Sequence, residues 1–227
     1  LLTPSLVTLK GENGVILYSV PYTQKEEERA FIADKLKTTP WLTATIKLFG
    51  PFLEVLIHFN NLFSKMEASA RGETIRLMWD MYLPGSKLPP KGQEHLLEKN
   101  NIESDKDFGD FVIAPHLVPE QMIIFPISSL HVKNQLIFRY PGHKKKMLQY
   151  INSKAQRMSN GKLKGPHYHP LLKSFIHQYL VQEKEKGSDL FIFKKKKPQA
   201  NPDEFLSELE KFITSHPNPY QYPSEYI

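Results

Sequence analysis

Two short β-rich runs and three helical patterns make up the first part of the chain. Residues 6–9 and 15–20 are rich in Leu, Val and Ile, and the pair Asn13-Gly14 lies between them. An Asn-Gly pair between two such runs is typical of a β-hairpin, which we therefore predict here. Apolar residues then recur at helical spacing, with Thr23 as the expected cap of the first helix. The predicted helices cover residues 24–37, 53–63 and 73–82.

A long apolar segment at 41–66 is interrupted by Gly50-Pro51. Proline has no backbone N–H to donate to the preceding turn, so a helix cannot continue smoothly through it. Its most apolar part, 49–59, also contains Glu54 and is too short to cross a bilayer. We predict a break at Pro51, a largely buried helix after it, and no transmembrane segment.

Residues 85–110 are polar and contain Pro89-Pro90. A connection of this length is uncommon inside a compact domain, so we interpret it as a polar loop around one short helix near 93–99, either at a domain boundary or as a surface insertion. The stretch also carries a cluster of acidic residues, namely Glu98, Glu103, Asp105, Asp107 and Asp110.

The second half of the chain mixes strand and helix patterns. Residues 121–127 and 131–140 alternate and are rich in Ile, Phe and Val, which predicts two paired strands. Asn201-Pro202 followed by two acids is a strong helix start. Further strands are predicted at 110–114 and 189–193, and helices at 143–158, 170–184 and from 202 to about 215.

Helices mixed with short hairpins, without regular alternation, predict an α+β fold: a helix-rich single domain with short antiparallel hairpins and an extended C-terminal tail. The organisation we expect is a hairpin with helices at 1–84, the polar loop at 85–110, a basic α+β part at 111–216 and the tail at 217–227. The first and third parts are expected to form one compact unit. The tail is rich in proline and cannot extend the preceding helix.

Charge changes this picture, because it is segregated along the chain. Residues 121–182 contain ten Lys or Arg and no Asp or Glu, whereas the whole chain has a net charge of +6. The remaining residues therefore carry a net charge of −4. A local excess of positive charge indicates a surface that faces an anion, most plausibly a nucleic-acid backbone.

Three lysines open the predicted helix at 143–158, where the helix dipole already places partial positive charge. Acids would stabilise that end, so the lysines favour phosphate contact over a purely structural role. Tyr150, Tyr168 and His143 are interleaved and could stack on unpaired bases. The candidate nucleic-acid-binding residues are Arg139, His143, Lys144, Lys145, Lys146, Lys154, Arg157, Lys162, Lys164, His167 and His169.

A second basic run follows the strand predicted at 189–193. Its four residues form a second candidate patch, and lysines at the end of an exposed edge strand also protect against aggregation. The same run is compatible with a nuclear-localisation signal. Its members are Lys194, Lys195, Lys196 and Lys197.

Enzymatic and metal chemistry find little support in the sequence. His167 and His169 would face one side of an extended segment, but metal sites usually need a third protein ligand, and we expect neither a metal nor a cofactor. The chain has no cysteine, which excludes disulfides and thiolate metal sites. It also lacks the nucleophile-elbow, phosphate-loop and zinc-protease motifs, so no catalytic residue is predicted. Asp105, Asp107 and Asp110, with Glu103, would chelate Mg²⁺ if the chain were a nuclease.

These patterns favour a non-enzymatic, RNA-contacting structural subunit of a large ribonucleoprotein assembly. A mitochondrial ribosome, with ribosomal RNA and neighbouring proteins as partners, would suit a basic, cysteine-free chain that begins with Leu1 rather than Met. The alternative is a scaffold or assembly factor whose basic face meets an acidic partner or a membrane surface. A metal-dependent nuclease is the third hypothesis. We expect an intracellular location, mitochondrial or nuclear, and no small-molecule substrate.

Overall fold

A computed structural model describes residues 3–86, 108–187 and 189–216. These residues divide into two compact units. Unit 1 comprises 3–86 and Tyr168–Tyr179, and unit 2 comprises the other described residues. Each unit combines helices with one antiparallel sheet, so the α+β prediction is confirmed. The organisation into segments that we expected from the sequence stays a prediction.

The sheet of unit 1 has three antiparallel strands in the order β2-β1-β3. The predicted hairpin is confirmed, because β1 and β2 pair across a turn in which Asn13 and Gly14 adopt positive φ. The third strand was not predicted. The strands are β1 (Ser5–Lys10), β2 (Ile16–Tyr22) and β3 (Thr43–Leu48).

Four helical segments complete unit 1: α1 (Glu26–Thr38), α2 (Phe52–Phe63), α3 (Ala68–Tyr82) and the first ten residues of α5 (Pro170–Lys186). Helix α2 begins directly after Pro51, as predicted, and is buried on nearly every side. The predicted Thr23 cap is wrong, since Lys25 occupies the cap position of α1. The Glu28 carboxylate instead accepts hydrogen bonds from the backbone N–H groups of Thr23 and Lys25, at 2.6 and 3.2 Å.

Unit 2 contains a four-stranded antiparallel sheet in the order β6-β5-β4-β7. The pairing of β5 with β6 is confirmed, but β6 is shorter than predicted because Val132–Asn134 forms a 3-10 turn. The strands are β4 (Phe111–Pro115), β5 (Gln121–Pro126), β6 (Leu136–Arg139) and β7 (Phe191–Phe193).

Helices α4 (Lys144–Ser159) and α7 (Pro202–Ser215) pack their apolar stripes on this sheet. The buried core that they share includes Met147, Ile151, Phe205 and Leu209. The remaining helices are the second part of α5 and the short α6 (Lys197–Ala200), which the sequence did not predict. The predicted start of α7 is confirmed, since the Asn201 side chain accepts a hydrogen bond from the Glu204 backbone N–H at 3.3 Å.

Several predictions fall outside the described residues. They are the short helix near 93–99, four of the five acidic residues in the polar loop, and the extended tail at 217–227. Within the described ranges, no helix is both long enough and apolar enough to cross a membrane.

Candidate nucleic-acid interface

The turn between β6 and α4 places the first group of cations. His143 occupies the cap position of α4, and its Nδ1 atom accepts a hydrogen bond from the Arg139 backbone N–H at 3.2 Å. Its own backbone N–H donates to the Arg139 carbonyl at 2.8 Å. Because Nδ1 is an acceptor, the neutral imidazole carries its proton on Nε2. This exposed histidine is therefore oriented by the chain itself and keeps a ring N–H for a ligand.

Lys144, Lys145 and Lys146 form the first turn of α4, and all three are exposed. The helix has no acid in that turn and no side-chain cap. It is held by its opposite side, where Met147 and Ile151 are fully buried. Burial of this apolar stripe stabilises the helix, and so the helix forms although the three lysines in its first turn are electrostatically unfavourable.

A second group of cations lies at the C-terminal end of α4. The chain folds back there, because the backbone N–H groups of Lys162 and Leu163 both donate to the Arg157 carbonyl, at 2.8 and 3.2 Å. Gly161 permits the reversal with a φ of +64°. Arg157 and Lys162 are exposed, so the fold brings them to the same end of the helix. With a rise of 1.5 Å per residue, this end lies about 20 Å from Lys144.

The basic loop after α4 is fixed by hydrogen bonds to a distant turn. The Lys164 carbonyl accepts from the Ser129 hydroxyl at 2.9 Å and from the Asn134 side-chain amide at 3.4 Å. Gly165 allows this close approach, since a Cβ atom there would lie 3.3 Å from the Cα atom of Ser129. The Tyr150 hydroxyl also donates to the Asn134 carbonyl. Ser129, Asn134 and Gly165 are positioning residues that the sequence did not indicate, because their contacts join segments about 30 residues apart.

Lys154 differs from the other predicted contacts because its side chain is buried. Its residue is only 9% exposed, and its ammonium donates to Asn134 Oδ1 at 2.9 Å. Burial, together with the charge of Arg157, lowers the pKa of Lys154. The residue lies three positions after Ile151, which places it on the buried side of α4, whereas the sequence placed it off the apolar stripe. Lys154 therefore belongs to the support of the surface and not to its exposed part.

Tyr150 and Tyr168, which are interleaved with the cations in the sequence, are half-buried. Burial raises the pKa of the Tyr150 hydroxyl, which is engaged with Asn134. Burial likewise raises the pKa of Tyr168. Of the three rings expected to stack on bases, only His143 belongs to an exposed residue.

The second basic run divides into separate roles. The Lys195 ammonium donates to the Ser159 hydroxyl at 3.2 Å, which joins this run to the C-terminal end of α4. Lys196 is exposed and precedes α6. Lys197 instead forms an ion pair with Glu208 of α7. Lys194 is half-buried.

The two histidines expected to act as a pair lie in different units. His167 is exposed and belongs to unit 2, whereas His169 belongs to unit 1. The ring of His169 meets that of Phe63 edge to face, with 5.2 Å between centroids. In the described part of the chain, no group of three or more His, Cys, Asp or Glu side chains could hold a metal ion.

Asp110 is the one member of the acidic cluster that the structure describes. Its carboxylate accepts a hydrogen bond from the Lys195 backbone N–H at 2.8 Å, and its own N–H donates to the Phe193 carbonyl at 2.9 Å. These bonds tie the end of β7 to the start of β4. Asp110 therefore has a structural role in unit 2.

The exposed cations are not neutralised by acids of the described chain. We define the α4 basic surface as Arg139, His143, Lys144, Lys145, Lys146, Arg157, Lys162 and Lys164, all of which are exposed. Among the described residues, none of its Lys or Arg members has a carboxylate within 4.0 Å. Lys186 and Lys197, which lie outside this surface, form ion pairs with Glu183 and Glu208.

No protein-family model matches the chain, and no curated protein or solved structure shows significant similarity to it.

Proposed function

We propose that unit 2 binds the phosphate backbone of RNA through the α4 basic surface. The chain would act as a non-enzymatic structural subunit of a large ribonucleoprotein assembly, of which a mitochondrial ribosome is the example we favour. The observation that carries the proposal is a set of exposed cations, without carboxylate partners among the described residues, on a helix and loop that are fixed to a folded core.

Fixation supports an anion site because it reduces the entropy lost on binding. The loop is attached through the Lys164 carbonyl, and the helix through its buried stripe. Cations lie at both ends of α4, about 20 Å apart, so a single bound phosphate cannot satisfy both groups. This spacing favours an extended polyanion over a small anion.

Backbone contact also explains the chemistry of the surface. Its members are lysines, arginines and one oriented histidine, which bind phosphate without reading sequence. Since Tyr150 and Tyr168 are half-buried, base stacking contributes less than the sequence suggested. We therefore propose recognition through the RNA backbone and its shape, with weak dependence on sequence.

Binding of fluorescently labelled RNA, followed by anisotropy at increasing salt, tests the proposal. The variant K144Q/K145Q/K146Q should bind more weakly than the unchanged chain. Its plot of log affinity against log salt should lose a slope of about 2 to 3, because each phosphate contact contributes about 0.7 to 0.9. The matched control K37Q/K65Q/K211Q removes the same charge from exposed lysines outside the surface and should bind nearly as before.

Two outcomes would overturn the proposal. One is the absence of measurable RNA binding at low salt, and the other is an equal loss of affinity in both triple variants. Binding to anionic vesicles or to polyglutamate without binding to RNA would instead favour the scaffold function, in which the same surface meets a membrane or an acidic protein.

A further inference from the structure

Exposed apolar side chains concentrate in one part of unit 1. Leu36 and Trp41 are each 38% exposed, Leu42 is 67% exposed and Ile46 is 64% exposed. They lie near the end of α1, in the connection before β3 and in β3 itself. Elsewhere in the described residues, the large apolar side chains with comparable exposure are Val15 and Val118. A grouped apolar surface of this kind marks an interaction site more often than scattered single residues do.

Within the described residues, the strand β3 has an open edge. It lies at the end of the β2-β1-β3 sheet, and within the described chain its partner is β1. The Phe49 N–H donates to the Pro4 carbonyl at 2.9 Å, which sets the phase of the ladder. Hydrogen-bonding residues alternate along an antiparallel strand, so Thr45 and Lys47 direct their backbone groups toward β1. Ala44, Ile46 and Leu48 therefore direct their N–H and C=O groups away from it.

Two of the usual protections of an edge strand are missing from β3. It contains no proline and pairs with β1 without a register shift. Its one charged residue is Lys47, whose ammonium lies 4.9 Å from the centroid of the Phe49 ring on its own chain. Edges without such protection are ready to accept another strand.

We propose that β3 pairs with β3 of a second copy of this chain, antiparallel, across a two-fold axis at Ile46. Ile46 then faces Ile46 of the second copy, and Ala44 faces Leu48. On the other side of the sheet, Thr45 faces Lys47. The three outward-directed residues of each copy make about six backbone hydrogen bonds, and the two sheets join into one.

The sequence of β3 is what selects a second copy as the occupant. With the axis at Ile46, apolar side chains meet apolar ones, and each lysine meets a threonine. An axis at Lys47 would oppose two ammonium groups, which is destabilising. An axis at Thr45 would place Leu48 opposite Leu42, which lies before β3 and whose N–H already donates to a β1 carbonyl at 2.7 Å. This register would therefore lose hydrogen bonds at its ends. The strand is thus complementary to itself in one register, which an unrelated partner would not require.

Sedimentation of the full chain over about 1 to 200 μM tests the proposal, since a short strand interface corresponds to micromolar association. We expect a monomer–dimer equilibrium that Ile46→Lys weakens at least about tenfold, because it buries a charge in place of the Ile pair. Val15→Lys, at an exposed apolar position in the β1–β2 turn, should leave the equilibrium unchanged. A chain that stays monomeric over the whole range, or equal effects of both variants, would overturn the dimer.

The register has its own test. In the proposed register, position 45 of each copy faces Lys47 of the other. Thr45→Lys therefore brings two ammonium groups together in both pairs and should weaken association. Adding Lys47→Glu to this variant makes both pairs opposite in charge and should restore association. Both positions are exposed, so circular dichroism should show unchanged folding. A double variant as weak as Thr45→Lys alone would exclude this register. These variants lie in unit 1, so their outcome is separate from that of RNA binding by unit 2.

Discussion

Helices α4 and α7 belong to the same unit and bury their stripes in the same core, yet they begin in opposite ways. Helix α7 starts with an Asn201 cap, Pro202 and two acids, all of which stabilise a helix N-terminus. Helix α4 starts with three lysines and no cap bond from a side chain. The start of α7 favours stability. The start of α4 does not, and the proposed contact with RNA phosphates would account for this difference.

The largest effect should come from giving α4 the acidic start of α7. In K144E/K145E/K146E, we expect RNA affinity to fall by about 100-fold or more at low salt, because attraction becomes repulsion. The free energy of unfolding should rise by about 1 kcal/mol, since acids complement the dipole. Anisotropy and urea unfolding on the same samples measure both quantities. A variant that loses affinity and stability together would contradict the assignment of this turn to binding.

The next largest effect should come from Asn134, which contacts the buried side of α4 through Lys154. Asn134→Ala removes the acceptor of the Lys154 ammonium and a donor to the Lys164 carbonyl. Leaving a buried polar group without its partner costs about 1 to 3 kcal/mol, which urea unfolding will measure. Asn160→Ala, at an exposed position in the loop, is the control. Equal stability of the two variants would mean that Asn134 does not hold this region.

The cap of α7 provides a smaller change in stability. Asn201→Ala should lower the free energy of unfolding by about 1 kcal/mol, because the Glu204 N–H loses its acceptor. RNA affinity should be unchanged, in contrast to substitutions in the first turn of α4. If the cap variant also bound RNA less well, the division of roles between the two helices would be refuted.

The smallest effect is a dependence on pH. Burial lowers the pKa of Lys154 below its usual 10.5, so the unfolded chain binds more protons than the folded one just below that pH. The free energy of unfolding therefore increases as the pH rises toward 10.5, because the Lys154 ammonium loses its proton. At lower pH the full cost of burying this charge is present. Lys154→Met should remove this contribution. Unfolding free energies of both proteins between pH 7 and 10, taken as a difference, should show the unchanged chain gaining on the variant; a flat difference would disprove the burial cost.

Local signals predicted the elements well. The start of α7 and the turn at Asn13-Gly14 were predictable because a few adjacent residues determine them. The break before α2 followed from Pro51 alone. The predicted cap of α1 was misplaced. The backbone N–H of Thr23 donates a hydrogen bond to the Glu28 carboxylate, but Thr23 does not start the helix.

Elements that depend on distant partners could not be predicted in the same way. Strand β3 exists because it pairs with β1, about 38 residues earlier. Its six residues alternate polar and apolar, but they lie within the long apolar segment at 41–66, and nothing in the sequence indicated a partner that would separate them from it. The burial of Lys154 depends on Asn134, which precedes it by 20 residues. The site was predicted as a set of charges, whereas the residues that hold it became visible only in three dimensions.

The division of α5 has a consequence for how the protein is made. Its first ten residues belong to unit 1. There the ring centroids of Phe175 and Trp79 are 6.0 Å apart, and those of Tyr179 and Phe52 are 5.4 Å apart. A ribosome synthesises residues 3–86 long before these aromatic rings. Unit 1 therefore cannot complete its core until residue 179 has left the exit tunnel, and a fragment ending at residue 86 would lack part of its own interior. The unit that begins first is finished only after most of the other has been translated.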